Sequence, residues 1–415
     1  MTTSYHRRKH CQLCQSTALT LILSLAPTPP ANAFVPESAL GTTQERFPLD
    51  VFHCEDCHHT QLTDVVDPAV LFENYVYVSG TSPAFVRHFE DYAGTVSKRF
   101  SPAANSLVVD IGSNDGTLLR FFKEAGHRVL GIDPAKDIAA DATAQGIETL
   151  PRFFTPALAQ EITGNRGKAS VVTANNVFAH ADDLLSIAQG IEHLLAPDGV
   201  FVFEVSYLVD VFEDVLFDTI YHEHMAYHAV GPLQRFFRRA GLELFAASRI
   251  PSHGGSLRGF VQLAGGPHEA DGSVDELLAV ERGLKLDSSA TLKDFGARID
   301  RLGKTFTGVL DDLIAQDKTI AGYGAPAKAT TLLYHFGIKP GTLQFIVDDS
   351  PLKQGLYSPG LHIPIVSSDA LLEKKPDVLV ILAWNFAEPI MKKTMAFQES
   401  GGQFLIPVPE VRLCP

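Results

Sequence analysis

The sequence contains no apolar run that approaches the ~18 residues of a membrane-spanning helix, so we expect no membrane segment. It also contains no basic stretch that offsets its acidic balance. Lys and Arg number 34 against 48 Asp and Glu, and the formal net charge of −14 argues against non-specific binding of nucleic acid. The balance of 45% hydrophobic and 20% charged residues is ordinary for a globular protein. At 415 residues the chain is too long for a single core, and two or three domains are expected.

Cysteine is scarce, but four of the five cysteines form two C-x-x-C pairs, Cys11/Cys14 and Cys54/Cys57. Each pair can turn two thiolates toward one point, and four thiolates suit a tetrahedral zinc ion. Because sulfur would fill every ligand position, we expect this zinc to be structural. Two disulfides are the alternative, which we favour less because an acidic chain without a secretory segment is expected in the reducing cytoplasm. Cys414 is left over and is given no role.

The first 34 residues imitate a secretory signal, with a basic HRRKH, an apolar stretch at Ala18–Ala26 and small residues at 31–33. Cleavage at Ala33 would discard Cys11 and Cys14, which are half of the cysteine constellation. We therefore expect the segment to be retained and the protein to be cytoplasmic.

The stretch LVVDIGSNDG, residues 107–116, predicts a buried strand and a tight glycine turn, followed by a helix. Glycines at 112 and 116 let the backbone approach a ligand without an intervening Cβ. About two dozen residues after Asp110, the strand HRVLGID ends in a carboxylate that could hold a ribose diol. The spacing D-x-G-x-x-x-G resembles motif I of class I S-adenosylmethionine (SAM) methyltransferases. This resemblance implies that SAM contacts Asp110, Gly112, Asn114, Gly116 and Asp133.

Residues 106 to about 248 alternate strand and helix, which is the pattern of a doubly wound α/β domain with a parallel sheet. Ligands of such sheets lie beyond the carboxyl ends of the strands. Phe153 and the segment Asn175–His180 both follow predicted strands. We therefore expect Phe153, Asn175 and Phe178 to contact the cofactor and His180 to face the site.

The loop FDTIYHEHMAYH, residues 217–228, concentrates titratable side chains that are costly to bury without a role. A metal site is one interpretation, but H-E-H lacks the i, i+4 histidine spacing of zinc proteases and a second carboxylate is missing. We favour acid–base chemistry by Tyr221, Glu223 and His224.

A second α/β unit is predicted from Lys318 onward. Its segment GYGAPAK carries Gly322-x-Gly324-x-x-Ala327, a match to the G-x-G-x-x-A turn of dinucleotide-binding domains, with Lys328 one residue further on. A glycine turn that opens a helix is a phosphate site by geometry. The alternative is a degenerate copy that only packs against the rest of the protein.

Together these motifs resemble the three-part sugar C-methyltransferases of deoxysugar biosynthesis, which act on nucleotide-activated 4-keto sugars, as in the making of branched antibiotic sugars. The segments that carry the resemblance are the two cysteine pairs, YVYVSGTS, VDIGSNDGTLL, NVFAHADD, FDTIYHEHMAYH, HGGSLRGF, GYGAPAKATTLL and VDDSPLKQGLYSPG. It implies a zinc-binding module at 1–70, a SAM-dependent methyltransferase domain at 71–248 and a C-terminal α/β domain at 249–415 that helps to bind the nucleotide-sugar. The nucleotide is expected to be dTDP, and the protein a monomer or small homo-oligomer.

The resemblance also implies roles for individual residues. The catalytic residues around the sugar would be Tyr75, His180, Tyr221, Glu223 and His224, with His224 as the leading candidate base. The substrate-binding residues would be Tyr77, Ser82, His253, Ser256, Lys328, Asp349 and Asn385. One stretch departs from the family expectation, because Gln15–His53, between the cysteine pairs, is long and proline-rich.

The expected chemistry suits these residue types. Carbon accepts a methyl group only when it is made nucleophilic, and next to a ketone this means removing an α-proton to give an enolate. A histidine with a pKa near neutral is suited to accept that proton, and Tyr221 could donate a hydrogen bond to the enolate oxygen. Glu223 could orient the imidazole or bind a sugar hydroxyl or amine. Transfer to oxygen or nitrogen, an NAD(P)-dependent sugar oxidoreductase that uses the GYGAPA turn, and a non-catalytic zinc scaffold are the alternatives.

Overall fold

The computed structural model describes residues 4–67, 70–71, 80 and 83–414. The predicted site residues Tyr75, Tyr77 and Ser82 lie outside these ranges. None of the helices within them is both long and apolar enough to cross a bilayer.

The N-terminal module is built from five short strands: β1 Tyr5–Arg7, β2 Leu19–Thr28, β3 Phe47–Cys54, β4 Thr60–Leu62 and β5 Asp64–Val66. Strands β2, β3 and β4 form an antiparallel sheet, and β1 pairs with β5. In β3 the residues Phe47, Leu49 and Val51 are buried while those between them are only half-buried. This period of two is the pattern of a strand that turns one face to a core.

The middle of the chain supplies the strands β6 Leu107–Ile111, β7 Arg128–Ile132, β8 Thr149–Leu150, β9 Ala169–Asn175, β10 Leu195–Ser206, β11 Ala226–Tyr227, β12 Leu242–Ile250 and β13 Ser256–Leu263. All except β11 belong to one sheet of order β12-β13-β10-β9-β6-β7-β8. Strands β6 to β10 are parallel, and β12 and β13 are antiparallel additions at one edge. Every residue of β6 is buried, as a central parallel strand requires. The predicted doubly wound α/β arrangement is confirmed.

The order of this sheet reverses between β6 and β9, which opens a crevice at their carboxyl ends. The helices of this part are α1 Pro83–Phe100, α2 Thr117–Glu124, α3 Lys136–Ala144, α4 Pro156–Arg166, α5 Leu184–Leu194, α6 Leu208–Glu213 and α7 Val230–Arg239. The starts of α4 and α5 carry side-chain caps, since Thr155 accepts from the backbone N–H of Leu158 and Asp183 from that of Ser186.

The C-terminal part begins with α8 Ser273–Gly283 and the 27-residue helix α9 Ser289–Ala315. The buried residues of α9 recur every three or four positions, so one face packs and the other is solvated. The elements that follow are β14 Ile320–Tyr323, α10 Ala327–His335, β15 Ile346–Val347, β16 Ile365–Val366, α11 Ala370–Lys374, β17 Val378–Ile381, α12 Ala387–Lys393, α13 Met395–Glu399, β18 Gln403–Ile406 and β19 Arg412–Cys414. Their strands form a C-terminal sheet of order β16-β15-β14-β17-β18-β19, in which all neighbours are parallel except β18 and β19.

The three parts pack against one another through polar contacts as well as a shared core. Strand β11 extends the N-terminal sheet by pairing with β4. From α7, Arg235 donates to the carbonyl of Cys57 at 2.6 Å and Arg239 to that of Leu13 at 2.8 Å. The N-terminal module is therefore fixed against the middle domain at both cysteine pairs.

Candidate active site

The four paired cysteines converge on one point. Their sulfur atoms all lie within 4.8 Å of one another, and the Cys11–Cys57 and Cys14–Cys54 sulfurs are 3.5 Å apart. Tetrahedral zinc with Zn–S bonds of about 2.3 Å places its sulfurs about 3.8 Å apart, so the donor set fits the ion. A hydrogen bond from Cys57 lowers the pKa of Cys11 to about 5, which favours the thiolate. Because four sulfurs fill the coordination sphere, this is a structural zinc site, as predicted.

The glycine turn after β6 is packed so tightly that a side chain cannot enter it. Gly112 has φ +71°, and a Cβ there would lie 2.2 Å from Cγ2 of Val177. Gly116 has φ +75°, and a Cβ there would lie 2.7 Å from Cγ2 of Ile147. The Gly112 N–H donates to the carbonyl of Ile132 at 2.7 Å, which joins the turn to the end of β7. The turn, which we call the cradle, thus presents backbone without side chains at the crevice, where SAM is predicted to bind.

Two carboxylates flank the turn. Asp110 is buried and accepts from the Thr173 hydroxyl at 2.6 Å, and burial raises its pKa to about 7. Asp133 accepts from the backbone N–H groups of Asn114 and Ala135, each at 2.9 Å. Burial raises the pKa of Asp133, and the two N–H donors oppose that shift. Asp133 is therefore hydrogen-bonded to the glycine turn, and its contact with the ribose stays a prediction.

The other predicted cofactor residues occupy different surroundings. Asn175 ends β9 at the crevice. Phe153 is 60% exposed, whereas its neighbour Phe154 is buried. Phe178 is fully buried and stacks on Phe237 with ring centroids 5.7 Å apart. Their cofactor contacts remain predictions, and Val177, which was not predicted, is the side chain that lies against Gly112.

The loop 217–228 presents one imidazole in a defined tautomer. His224 Nδ1 lies 2.8 Å from the carbonyl oxygen of Thr219, and its Nε2 lies 2.7 Å from the Tyr221 hydroxyl. A carbonyl oxygen only accepts, so Nδ1 must carry the hydrogen and Nε2 must accept from Tyr221. Burial lowers the pKa of His224 to about 4. The ring is therefore neutral at pH 7, with its one lone pair directed at Tyr221.

His180 completes this cluster from the end of the parallel sheet. Its ring stacks on that of His224 with centroids 5.0 Å apart and an interplanar angle of 27°. The Met225 N–H donates to the Ala179 carbonyl at 2.9 Å, which ties the loop to the segment after β9. His180 Nε2 is buried and has no hydrogen-bond partner among the described residues. The structure thus brings together three residues that the sequence analysis placed around the sugar, namely His180, Tyr221 and His224.

Glu223 is hydrogen-bonded to a residue outside the loop. It is 3% exposed, and its Oε1 accepts from the Asn32 side-chain amide of the N-terminal module at 2.8 Å. Burial raises the pKa of Glu223 to about 7, against the effect of the Asn32 hydrogen bond. The sequence analysis did not predict Asn32. The one indication in the sequence was the unusual length of the segment Gln15–His53, which contains it. His222 packs on Phe47 instead, with ring centroids 5.6 Å apart.

A third group of predicted residues lies where the middle part of the chain meets the C-terminal part. His253 has φ +55°, and its Nε2 is 3.1 Å from Asn176 Nδ2. Lys328 Nζ donates to Asn385 Oδ1 at 2.5 Å and lies 3.5 Å from the Trp384 ring centroid. Burial lowers the pKa of Lys328 to about 8 and that of His253 to about 3.

The remaining predicted substrate residues are held by other protein groups. The hydroxyl of Ser256 donates to the carbonyl of Ser252 at 3.0 Å. The carboxylate of Asp349 accepts from Tyr323 at 3.1 Å and from Lys393 at 2.6 Å. Neither contact tests the predicted role of Ser256 or Asp349.

In the second glycine turn, GYGAPA, a backbone N–H that could bind a phosphate already donates to a carboxylate of the protein. The Ala325 N–H donates to Asp348 Oδ2 at 2.7 Å, and the Ser350 N–H donates to Oδ1 of the same carboxylate at 2.9 Å. The carboxylate brings negative charge to the position that a phosphate would take in a dinucleotide site. This arrangement argues against a pyrophosphate at the GYGAPA turn.

Known proteins resemble all three parts of the chain. C-methyltransferase NovU of Streptomyces niveus is 36% identical over 403 residues, which are 97% of this chain and 96% of NovU. Family models match a zinc binding domain at 11–72, a methyltransferase domain at 85–247 and a C-methyltransferase C-terminal domain at 251–409.

Two solved methyltransferases are similar to less than half of this chain. Magnesium protoporphyrin IX methyltransferase (ChlM) of Synechocystis PCC 6803 with bound SAH is 14% identical, with a TM-score of 0.34, over 43% of this chain and 82% of its own. The CcbJ methyltransferase of Streptomyces caelestis is 15% identical, with a TM-score of 0.34, over 47% of this chain and 95% of its own. On the evidence of NovU and of the three family models, this chain belongs to the C-methyltransferase family and is a SAM-dependent methyltransferase with a structural zinc site.

Proposed function

We propose that this enzyme methylates a carbon atom next to the ketone of a nucleotide-activated 4-keto-deoxysugar, with dTDP as the nucleotide, in the cytoplasm. The observation that carries the proposal is the Tyr221–His224 pair. His224 is hydrogen-bonded to Tyr221 through Nε2 and to the Thr219 carbonyl through Nδ1. The ring is neutral, and Nε2 is its one basic nitrogen, beside the end of the SAM-binding sheet. An acid–base pair of this kind suits the removal of a proton from carbon.

In this proposal the hydrogen bond between Tyr221 and His224 breaks as the substrate binds. The Tyr221 O–H leaves Nε2 and donates to the ketone oxygen of the sugar, which frees the Nε2 lone pair. Nε2 then takes the α-proton, the C–H electron pair becomes the carbon–carbon double bond of the enolate, and the negative charge collects on the oxygen that Tyr221 holds. When bound, SAM supplies the methyl group to the nucleophilic carbon.

The Thr219 carbonyl keeps the reactive nitrogen available. While Nδ1–H donates to this carbonyl, the ring cannot switch tautomer, and the imidazolium formed after proton transfer retains an acceptor. The stacked His180 excludes water from one face of the ring. Glu223 is proposed to bind a sugar hydroxyl or amine, and His253, Lys328 and Asn385 to face the nucleotide-sugar from the C-terminal side.

The test separates proton removal from methyl transfer. The enzyme is incubated with a dTDP-4-keto-deoxysugar in D₂O without SAM, and the sugar is analysed by mass spectrometry. We expect wild type to incorporate deuterium at the α-carbon and His224→Ala to lose both this exchange and methylation while its affinity for SAM stays near normal. Tyr221→Phe should reduce exchange by about 10²–10³-fold, the usual effect of removing one oxyanion donor.

Two results would reject the proposal. Full exchange in His224→Ala would remove His224 as the base. Label from methyl-labelled SAM found on oxygen or nitrogen would instead establish the closest alternative, an O- or N-methyltransferase. The oxidoreductase alternative is disfavoured because the Ala325 N–H of the GYGAPA turn already donates to the Asp348 carboxylate. Calorimetric titration with NAD(P)H checks directly whether the protein binds that cofactor.

A further inference from the structure

One segment of the N-terminal module leaves its own sheet and crosses to the C-terminal domain. We call residues 29–46, between β2 and β3, the crossing segment. Val35 and Tyr357 exchange both backbone hydrogen bonds, at 3.1 and 2.8 Å. The Gly360 N–H donates to the Gln44 side chain at 2.6 Å, and the guanidinium of Arg46 lies 5.1 Å from the centroid of the Tyr334 ring. These contacts anchor the segment at its middle and its end.

The same anchoring fixes the part of the segment that carries Asn32. The Thr330 hydroxyl on α10 donates to the carbonyl of Ala31 at 3.2 Å, and the Gln44 amide donates to the carbonyl of Ala33 at 2.8 Å. Both backbone neighbours of Asn32 are therefore held. From this fixed position Asn32 Nδ2 donates to Glu223 Oε1 at 2.8 Å, across 191 residues of sequence.

A carboxylate buried as deeply as Glu223 needs donors to stay ionised and oriented. Burial and the Asn32 hydrogen bond account for its pKa, without a contribution from a charged neighbour. The titratable groups beside it in the loop are Tyr221, His222 and His224, and both histidines are neutral at pH 7 because burial lowers the pKa of each to about 4. The neutral amide of Asn32 is thus the donor that favours the charged form of Glu223.

We propose that Asn32 is a positioning residue, through which the N-terminal module holds one oxygen of the Glu223 carboxylate and directs the other to the substrate. This inference rests on the proposed contact between Glu223 and the sugar. A carboxylate has two oxygens, and the amide occupies Oε1, so Oε2 can accept from a sugar hydroxyl or amine. The zinc module therefore takes part in forming the substrate site, and it does so only while the crossing segment is docked on the C-terminal domain.

The experiment compares Asn32→Ala and Asn32→Asp with Glu223→Gln and with the double variant Asn32→Ala/Glu223→Gln. Glu37→Ala, an exposed change in the same segment, is the control. We expect Asn32→Ala to raise KM for the dTDP-4-keto-deoxysugar about 10- to 100-fold, which corresponds to losing one hydrogen bond to a charged group. SAM affinity should stay within error of wild type, and circular dichroism should show that the variant is folded. Asn32→Asp should be worse, because it brings a second negative charge to the carboxylate.

The pH profile supplies a readout that a merely structural role would not move. Loss of the amide donor should shift the kcat/KM inflection that Glu223 produces to higher pH, and the shift should be absent in the double variant. In the Glu223→Gln background, Asn32→Ala should add less than a twofold effect. The inference is overturned by Asn32→Ala kinetics within twofold of wild type, by additive effects in the double variant, or by an equal loss in Glu37→Ala.

Glu223→Gln alone tests the assumption beneath this inference. If it leaves KM for the sugar unchanged, the proposed substrate contact of Glu223 is wrong, and the positioning role fails with it. If it raises KM while Asn32→Ala does not, the contact stands and only the role of Asn32 is refuted.

Discussion

Replacing Gly112 by alanine should disrupt the SAM cradle by an amount that the geometry sets. At φ +71° an alanine lies in the left-handed region, which costs about 1–2 kcal/mol. Its Cβ would also lie 2.2 Å from Val177 Cγ2, an overlap that costs about 1–3 kcal/mol because the packed side chain must move. Together we expect Gly112→Ala to destabilise the cradle by about 2–5 kcal/mol, or roughly 30-fold or more in SAM affinity.

A second glycine separates these two costs. Gly126, in the turn between α2 and β7, has φ +89° and no atom within 4 Å of an added Cβ. Gly126→Ala should therefore show only the backbone cost of about 1–2 kcal/mol and leave SAM affinity unchanged. Val177→Ala in the Gly112→Ala background removes the methyl group that Cβ would strike, so part of the affinity should return.

The assay is calorimetric titration with S-adenosylhomocysteine, together with thermal unfolding followed by circular dichroism. If Gly112→Ala and Gly126→Ala behave alike in both measurements, the contact with Val177 has no energetic effect. The reasoning is also refuted if Val177→Ala fails to restore any binding, because the overlap with Val177 is then not the cause of the loss.

Three further perturbations test other parts of the site. Asp133→Ala should weaken SAM binding about 10- to 100-fold, the effect of losing hydrogen bonds to a charged acceptor, and unchanged affinity in a titration would place the ribose elsewhere. Cys54→Ser should lose the bound zinc and lower the melting temperature, since structural zinc supplies folding free energy. Cys414→Ser, outside the cluster, should retain one zinc per chain by metal analysis. The kcat/KM profile should lack the usual histidine inflection near pH 6.5, because the pKa of His224 is about 4 and its base form persists to low pH. Since the pKa of Glu223 is about 7, activity should instead fall as pH drops through 7, and this fall should vanish in Glu223→Gln.

Features that depend on one local stretch could be predicted from the sequence. Residues 107–109 are apolar without interruption because both faces of the strand are buried, and the glycines after the strand are required by positive φ at 112 and 116. The cysteine pairs are equally local, because two residues between sulfurs suffice to form each half of the zinc site. The α/β fold class and the zinc ligands could therefore be assigned with no knowledge of which parts touch.

Contacts between distant parts could not be predicted in the same way. Nothing in the sequence around Asn32 indicates that this residue contacts Glu223, because the contact depends on how the crossing segment docks on Tyr357 and Gly360. Periodicity also did not distinguish Phe153 from Phe154, adjacent residues of which only the second is buried. The Tyr221–His224 hydrogen bond needs a loop conformation that several elements impose together.

The loop 217–228 contains little regular structure of its own, namely a 3₁₀ turn at Phe217–Thr219 and the two-residue β11. Its shape therefore comes from its neighbours. The N-terminal sheet pairs with β11, the segment after β9 accepts from Met225, and Thr331 of α10 donates its hydroxyl to the carbonyl of Ile220 at 2.8 Å. If docking by all three parts sets the catalytic geometry, a change at one interface should lower catalysis without affecting the SAM cradle.

Trp384→Phe tests this argument at the C-terminal interface. The indole N–H of Trp384 donates at 2.6 Å to Asp218, a fully buried carboxylate in the 3₁₀ turn that opens the loop. Phenylalanine removes this donor but keeps an aromatic ring against Lys328. Loss of a hydrogen bond to a buried charged group costs about 1.5–3 kcal/mol, so we expect the loop to shift and the α-proton exchange to fall about 10- to 100-fold. S-adenosylhomocysteine should bind as tightly as it does to wild type. Equal losses of exchange and cofactor affinity would instead mean that the interface supports the whole middle domain and does not shape the loop in particular.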